Sequence, residues 1–124
     1  MRRPRHALLV DADAATNRIC REVLEETGFA VHVVHSGIAA VVAARDRPFD
    51  LIVIDTQLRD VPGREAMEWL RSNPALRSTP LIALASSAEG RSNLFVARPG
   101  TLLRKPISVA MIRRAIHDLL NQEA

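Results

Sequence analysis

The sequence predicts an α/β fold, a doubly wound parallel sheet with helices on both faces. Apolar runs rich in β-branched residues alternate with stretches of helical periodicity at intervals of about twenty residues. The run at residues 51–54 is apolar throughout, as in strands that are buried on both faces of a parallel sheet. The alternation also predicts right-handed crossovers and a single domain over residues 1–124.

Short apolar segments between turn residues are predicted to be strands. Pro80 is acceptable as the first residue of one of them, because proline is tolerated at a strand start. The predicted strands are residues 7–10, 30–34, 51–54, 80–85 and 102–103.

Helices are predicted to follow the strands along the chain. Gly28 and Pro48 are suited to end helices. Ser36 and Ser108 are suited to cap them. The regular helices are predicted at residues 14–27, 36–47, 64–72 and 108–120.

The predicted fourth helix, within residues 86–100, breaks this pattern. Gly90, Pro99 and Gly100 interrupt the stretch, and its helical periodicity is weak. We therefore expect the fourth helix to be short and irregular.

Trp69 lies off the inward face of the helix at residues 64–72, which Met67 and Leu70 define. It is either a partly buried residue at the rim of the core or part of a partner surface.

The composition is ordinary for a soluble globular protein. Of the 124 residues, 48% are hydrophobic, and no apolar run approaches the ~20 residues that cross a bilayer. Asp11 cuts short the apolar stretch after the basic N-terminus, which argues against a signal peptide. The single Cys20 excludes an internal disulfide and indicates a cytoplasmic protein. The net charge is +3, but with no Tyr and one Trp we expect no nucleic-acid partner.

Two acids and a lysine lie at the ends of predicted strands. Asp11 follows the first strand, Asp55 the third, and Lys105 comes soon after the fifth. The carboxyl ends of parallel strands meet at the edge where open α/β folds build their sites. Clustered carboxylates favour a hard cation such as Mg²⁺, and a nearby lysine can pair with a phosphoryl group. This set predicts phosphoryl transfer onto a carboxylate; alternatively, the acids cap turns and the lysine is solvated.

Together with Gly63, Pro80 and Pro106, these residues resemble the receiver domain of two-component response regulators and hybrid histidine kinases. The resemblance extends from about residue 7 to residue 120. The stretch at residues 15–19 looks most like receivers attached to hybrid kinases, which favours a segment of a larger protein.

The resemblance implies a flavodoxin-like sheet in the order 2-1-3-4-5 with five helices. It implies that Asp55 is the phosphoacceptor, that Asp11 is the first of two acids at a magnesium site, and that Lys105 contacts the phosphoryl group. It also implies a cis Lys105–Pro106 bond and a backbone carbonyl of Gln57 on the metal.

The chain departs from the family pattern at functional positions. The second magnesium acid is replaced by Ala12, and the neighbouring Asp13 is the candidate to stand in for it. The switch hydroxyl at the end of the fourth strand is replaced by Ala85, and the aromatic residue on the fifth strand by Leu102. These departures from the family pattern imply a degenerate receiver, in which metal affinity and the phosphorylation switch are impaired.

We interpret the chain as a signalling domain rather than an enzyme, with a histidine kinase or a phosphotransfer protein as its partner. In the family, the face formed by the fourth helix, fifth strand and fifth helix serves docking and dimerisation, and here it is also a candidate for an intramolecular domain contact. Arginines that can share this face are Arg91, Arg98, Arg104, Arg113 and Arg114.

Two other interpretations stay open. A pseudo-receiver that is never phosphorylated would bind a protein or an anionic nucleotide through that basic face. A flavodoxin-like cofactor protein would share the topology, but the acidic stretch at residues 11–14 would repel its phosphate group.

Overall fold

The computed structural model describes residues 4–86, 96 and 98–121. The strands are β1 (Arg5–Val10), β2 (Phe29–Val34), β3 (Leu51–Asp55), β4 (Leu81–Ala85) and β5 (Gly100–Arg104). All neighbouring strands pair in parallel, in the order β2-β1-β3-β4-β5. The predicted sheet and its strand order are therefore confirmed.

The described residues contain the helices α1 (Ala14–Glu26), α2 (Gly37–Asp46), α3 (Gly63–Ser72) and α4 (Val109–Asn121). The helix α4 corresponds to the last helix of the prediction. The irregular fourth helix expected within residues 86–100 falls mostly outside the described residues and stays a prediction. Among the helices that the structure describes, none has the length and apolar character needed to span a membrane.

The helix ends follow the predicted capping chemistry. Ser36 Oγ accepts a hydrogen bond from Ala39 N at 3.0 Å, and Ser108 Oγ accepts one from Met111 N at 3.2 Å. Gly28 follows α1 with a φ of +100°, a backbone conformation that favours glycine. The element boundaries differ from the predicted ones by one or two residues. The sequence does not predict the 3₁₀ turn at Pro74–Leu76.

Core side chains cover both faces of the sheet. Leu9 and Val53 join the cluster beneath α1 and α4, whereas Leu8 and Ile52 join the cluster beneath α2 and α3. All four side chains are at most 1% exposed. Successive residues of a strand point to opposite faces, so a strand covered on both sides must be apolar at every position.

Candidate functional site

Asp11, Asp55 and Lys105 meet at the carboxyl edge of the sheet. Asp55 ends β3, while Asp11 and Lys105 lie one residue beyond β1 and β5. The Nζ atom of Lys105 lies 2.6 Å from Asp55 Oδ2 and 3.2 Å from Asp11 Oδ2. Asp11 is fully buried and Asp55 is 6% exposed. The structure thus brings together the three residues on which the sequence argument depends.

The other oxygen of each carboxylate accepts a backbone hydrogen bond. Asp13 N donates to Asp11 Oδ1 at 2.7 Å, and Gln57 N donates to Asp55 Oδ1 at 2.8 Å. Each acid thus bonds to the backbone two residues later, the local pattern by which aspartate stabilises a turn. These bonds leave both Oδ2 atoms facing Lys105.

Lys105 is held in place by the turn that follows β5. Its backbone N donates to Ala85 O at 2.7 Å, which joins this turn to the end of β4. The Lys105–Pro106 peptide bond is cis, as the resemblance implies. Ile107 is 8% exposed and packs into the core beneath α1 and α4, so the turn is anchored on both sides of the lysine.

Burial and charge shift the pKa values of this cluster. Burial raises the pKa of Asp11 above its ordinary 3.8, and the charge of Asp55 adds to this, while the Asp13 N–H and Lys105 oppose it. Burial by itself lowers the pKa of Lys105, but the hydrogen bond to Asp55 and the charges of both acids raise it above the ordinary 10.5. The ammonium of Lys105 therefore stays charged beside the two acids.

The carboxylate of Asp13 serves as the N-cap of α1. It accepts hydrogen bonds from Thr16 Oγ1 at 2.5 Å and from Ala15 N at 3.3 Å. The bond from Thr16 lowers the pKa of Asp13. The neighbouring Ala12 is exposed and offers no ligand atom in its side chain. The role of Asp13 at a metal site stays a prediction.

The residues of the cluster fit a magnesium ion. Asp11 Oδ2 is buried and has no aligned hydrogen-bond donor among the described residues, although Lys105 Nζ is in ion-pair contact with it. Mg²⁺ commonly binds one or two carboxylates and keeps several waters. Asp11 and Asp55 meet that requirement, with the carbonyl of Gln57 as the predicted backbone ligand. The described residues contain no group of three or more His, Cys, Asp or Glu side chains suited to a metal.

A cleft of about 350 Å³ opens over Asp55 and Lys105 and is also lined by Asp13, Gln57 and Ser86. A groove of about 800 Å³ between α2 and α3 is larger, but Arg45 is the one charged residue in its lining. Of these two, the smaller cleft is the candidate site, because the ion pair between Asp55 and Lys105 lies in its lining.

The loop after β3 is held by contacts that sequence reasoning missed. Asp60 accepts hydrogen bonds from Gly37 N at 3.0 Å and from Ile38 N at 2.9 Å, at the start of α2. Gly63 N donates to Thr56 O at 2.9 Å, and a Cβ atom at Gly63 would lie 2.3 Å from Thr56 Cα. The turn chemistry around Gly63 is visible in the sequence, but nothing local connects Asp60 with α2.

The backbone of Asp11 is fixed by two further side chains that sequence reasoning did not assign to the site. Asn17 Nδ2 donates to Asp11 O at 2.8 Å, and His35 Nδ1 lies 3.0 Å from the same oxygen. Asp11 N also donates to Val34 O at 3.1 Å. These contacts hold the acid in one position at the end of β1.

Comparison with known proteins decides the family. A family model described as the response regulator receiver domain matches residues 7–117. The chain belongs to this family. The receiver domain is 30% identical over 115 residues to the polar-differentiation response regulator DivK of Brucella ovis, covering 91% of this chain and 94% of that protein. DivK of Brucella anthropi is 29% identical over 119 residues, with coverage of 94% and 97%.

Solved receiver structures match the same architecture. The receiver domain of the sensor histidine kinase PA1611 from Pseudomonas aeruginosa PAO1 is 25% identical, with a TM-score of 0.83 and coverage of 96% of this chain and 99% of that one. That structure has a magnesium ion coordinated in its active-site cleft. A CheY-like receiver domain from Methylobacillus flagellatus is 26% identical, with a TM-score of 0.78 and coverage of 94% and 99%.

This receiver domain has apolar side chains at two expected switch positions. Ala85 is fully buried at the end of β4 and brings no hydroxyl to the cleft. Ser86, one residue later, lines the cleft. Leu102 on β5 is half-buried and packs against the core beneath α2 and α3.

The described arginines of the expected docking face of this receiver domain differ in their contacts. Arg113 Nη2 pairs with Glu26 Oε2 of α1 at 2.7 Å, and Arg114 Nε pairs with Asp118 Oδ2 at 3.3 Å. Arg98 and Arg104 are exposed. Arg91 lies outside the described residues.

Proposed function

We propose that this receiver domain accepts a phosphoryl group on Asp55 in the cytoplasm, from a histidine kinase or a phosphotransfer protein. The observation that carries the proposal is the position of Asp55 Oδ2, 2.6 Å from Lys105 Nζ at the base of an open cleft. The buried Asp11 beside this pair supports it further. A solvated pair of turn caps would not require the acids to share one ammonium.

The reaction is a displacement at phosphorus. A carboxylate oxygen of Asp55 forms the new P–O bond, the bond from phosphorus to the donor breaks, and the donor leaves with the electron pair. Lys105 pairs with the phosphoryl oxygens and neutralises part of their charge. A magnesium ion, held by Asp11, Asp55 and the carbonyl of Gln57, would supply further charge neutralisation, with Asp13 as the proposed substitute for a second acid.

We infer that this site is impaired relative to a receiver with its full set of polar groups. Ala12 supplies no second magnesium acid, and Asp13 is engaged in capping α1. Removing a residue that only supports a metal ligand typically lowers the metal affinity about 10–100-fold, and removing a ligand itself should lower it at least as much. Ala85 gives no hydroxyl to a phosphoryl oxygen, so phosphorylation has no polar contact there through which to move the end of β4.

Small-molecule phosphodonor treatment with magnesium, followed by intact mass measurement, tests the proposal. Acetyl phosphate should add the mass of one phosphoryl group to the wild-type chain and to Asp118→Asn, a control on α4, but not to Asp55→Asn. No mass gain, together with no effect of magnesium on thermal stability, would show that Asp55 is not a working acceptor.

A second candidate is a phosphorylation-independent domain that binds a protein or an anionic nucleotide. The apolar Ala85 and Leu102 favour it, because they leave the switch positions without polar groups. Its surface would centre on the exposed Arg98 and Arg104. A thermal-shift screen of nucleotides tests this candidate. It fails if no nucleotide stabilises the domain and if charge reversal at both arginines leaves partner binding unchanged.

A further inference from the structure

The groove between α2 and α3 exposes most of the large apolar side chains that remain in contact with solvent. Among the described residues, Ile38 is 57% exposed, Val42 51%, Trp69 43% and Met111 36%. The first three line the groove of about 800 Å³, whereas Met111 lies on α4. Ile38 and Val42 are one turn apart on α2, and Trp69 lies across from them on α3. A contiguous apolar patch of this kind marks an interaction surface.

The two helices that form this groove carry opposite charges near their opposite ends, with Arg45 in the lining of the groove and Glu65 outside it. Both helices begin at the carboxyl edge of the sheet and run in the same direction. Arg45 lies in the last turn of α2, three residues after Val42 and on the same face. Glu65 lies in the first turn of α3, four residues before Trp69. Neither Arg45 nor Glu65 forms an ion pair with another residue that the structure describes.

We propose that a second copy of this chain occupies the groove, with the two copies antiparallel about a twofold axis. A twofold contact brings the same patch of each copy together. With the second copy turned end for end, its Glu65 lies beside Arg45 of the first, and its Arg45 beside Glu65. Trp69 and Val42 of both copies then meet near the axis. A parallel pairing would instead place like charges together, which disfavours it.

The size of the patch sets the strength of this association. Each helix has ten residues and is therefore about 15 Å long, and two packed helices are about 20 Å wide. The contact buries about 300 Å² on each copy, or about 600 Å² in total, below the ~1,200 Å² at which standard interfaces begin. The pair should therefore be weak and depend on concentration. The association does not require phosphorylation of Asp55, so its test is independent of the test of Asp55 as the phosphoacceptor.

Trp69 provides a direct probe, because it is the single tryptophan of the chain and there is no tyrosine. Sedimentation equilibrium from about 10 μM to about 1 mM should show an average mass that rises above that of the monomer. The tryptophan emission should shift to shorter wavelength over the same concentrations, because pairing removes Trp69 from water.

Matched variants locate the contact. Val42→Lys should weaken association by at least about tenfold, because it places a charge in the centre of the pair. Met111→Lys introduces the same charge on α4 and should leave association unchanged. Arg45→Glu and Glu65→Arg should each weaken the pair, and the variant that combines them should restore it to within about threefold of the wild type.

Four results would overturn the proposal: a monomer mass at every concentration, association unaffected by Val42→Lys, loss of association in Met111→Lys, or a combined charge variant no stronger than either single one. The first would leave the groove to a partner other than a second copy. Circular dichroism verifies that each variant folds, and Ile38→Lys takes the place of Val42→Lys if that variant does not.

Discussion

Replacing Lys105 by methionine tests the electrostatic account of the site. Methionine keeps an unbranched side chain but removes the ammonium that lies 2.6 Å from Asp55 and 3.2 Å from Asp11. No other cation contacts these two acids among the residues that the structure describes. The variant therefore retains two buried carboxylates with no compensating charge, and we expect it to be less stable than the wild type at neutral pH.

The expected loss in the free energy of unfolding is about 3 kcal/mol. Coulomb's law with an effective dielectric constant of about 20 gives about 6 kcal/mol for unit charges at the separation of Lys105 and Asp55, before desolvation is subtracted. Removing one partner of a buried ion pair typically costs about 3–5 kcal/mol. The Lys105 side chain is 19% exposed, so solvent screening places the value at the lower end.

Urea unfolding followed by circular dichroism measures this loss, with and without about 10 mM magnesium. Magnesium should reduce the loss, because a bound cation replaces the missing charge. Acidification should also reduce it. Since burial raises the pKa of Asp11 above 3.8, lowering the pH through that raised value protonates Asp11 and removes the repulsion.

Arg104→Met is the control for the same experiment, because it removes an exposed cation next to Lys105. Its stability should stay within about 0.5 kcal/mol of the wild type. If Lys105→Met is as stable as the wild type at neutral pH without magnesium, the electrostatic account is wrong. A loss that is equal at every pH and magnesium concentration would point to packing instead.

Three further predictions test the metal site, the loop and the amino edge of the sheet. Ala12→Asp should tighten magnesium binding by about 10–100-fold, measured as the magnesium concentration that half-maximally raises the melting temperature; an unchanged value would contradict the role assigned to this position. Gly63→Ala should cost about 1–3 kcal/mol in urea unfolding, because the new Cβ would meet the backbone of Thr56 at 2.3 Å; a neutral effect would mean that the loop relaxes. Burial and the charge of Arg47 lower the pKa of His32 below 6.5, so the folded state favours the neutral ring and loses stability as the pH falls through that lowered pKa. The melting temperature of His32→Gln should therefore fall less than that of the wild type between pH 7 and pH 5. Equal falls would refute the role assigned to His32.

Local chemistry made most of the elements predictable from the sequence. A strand covered on both faces needs an apolar residue at every position, so the run at residues 51–54 indicated its own burial. Ser36 and Ser108 satisfy backbone N–H groups only a few residues away, so both caps could be recognised without knowledge of the fold. Asp11, Asp55 and Lys105 could be predicted to converge, because the ends of parallel strands must meet at one edge.

Only the tertiary structure decided two kinds of feature. The first is contacts between segments that are distant in the chain, and the second is which of several local partners a polar side chain takes. The carboxylate of Asp60 accepts hydrogen bonds from the start of α2, because the loop after β3 packs over that helix end. No residue near Asp60 in the sequence indicates this contact. The carboxylate of Asp13 caps α1, a role that the sequence argument did not assign, since its place next to Ala12 made it a candidate metal ligand there. Sequence alone showed that Trp69 lies off the inward face of α3, but the groove that it shares with α2 exists only once both helices have packed on the sheet. The physical reason is the same in each case: hydrophobic periodicity and caps act over a few residues, whereas the partner of an exposed or buried polar group is set by how the crossovers bring the helices together.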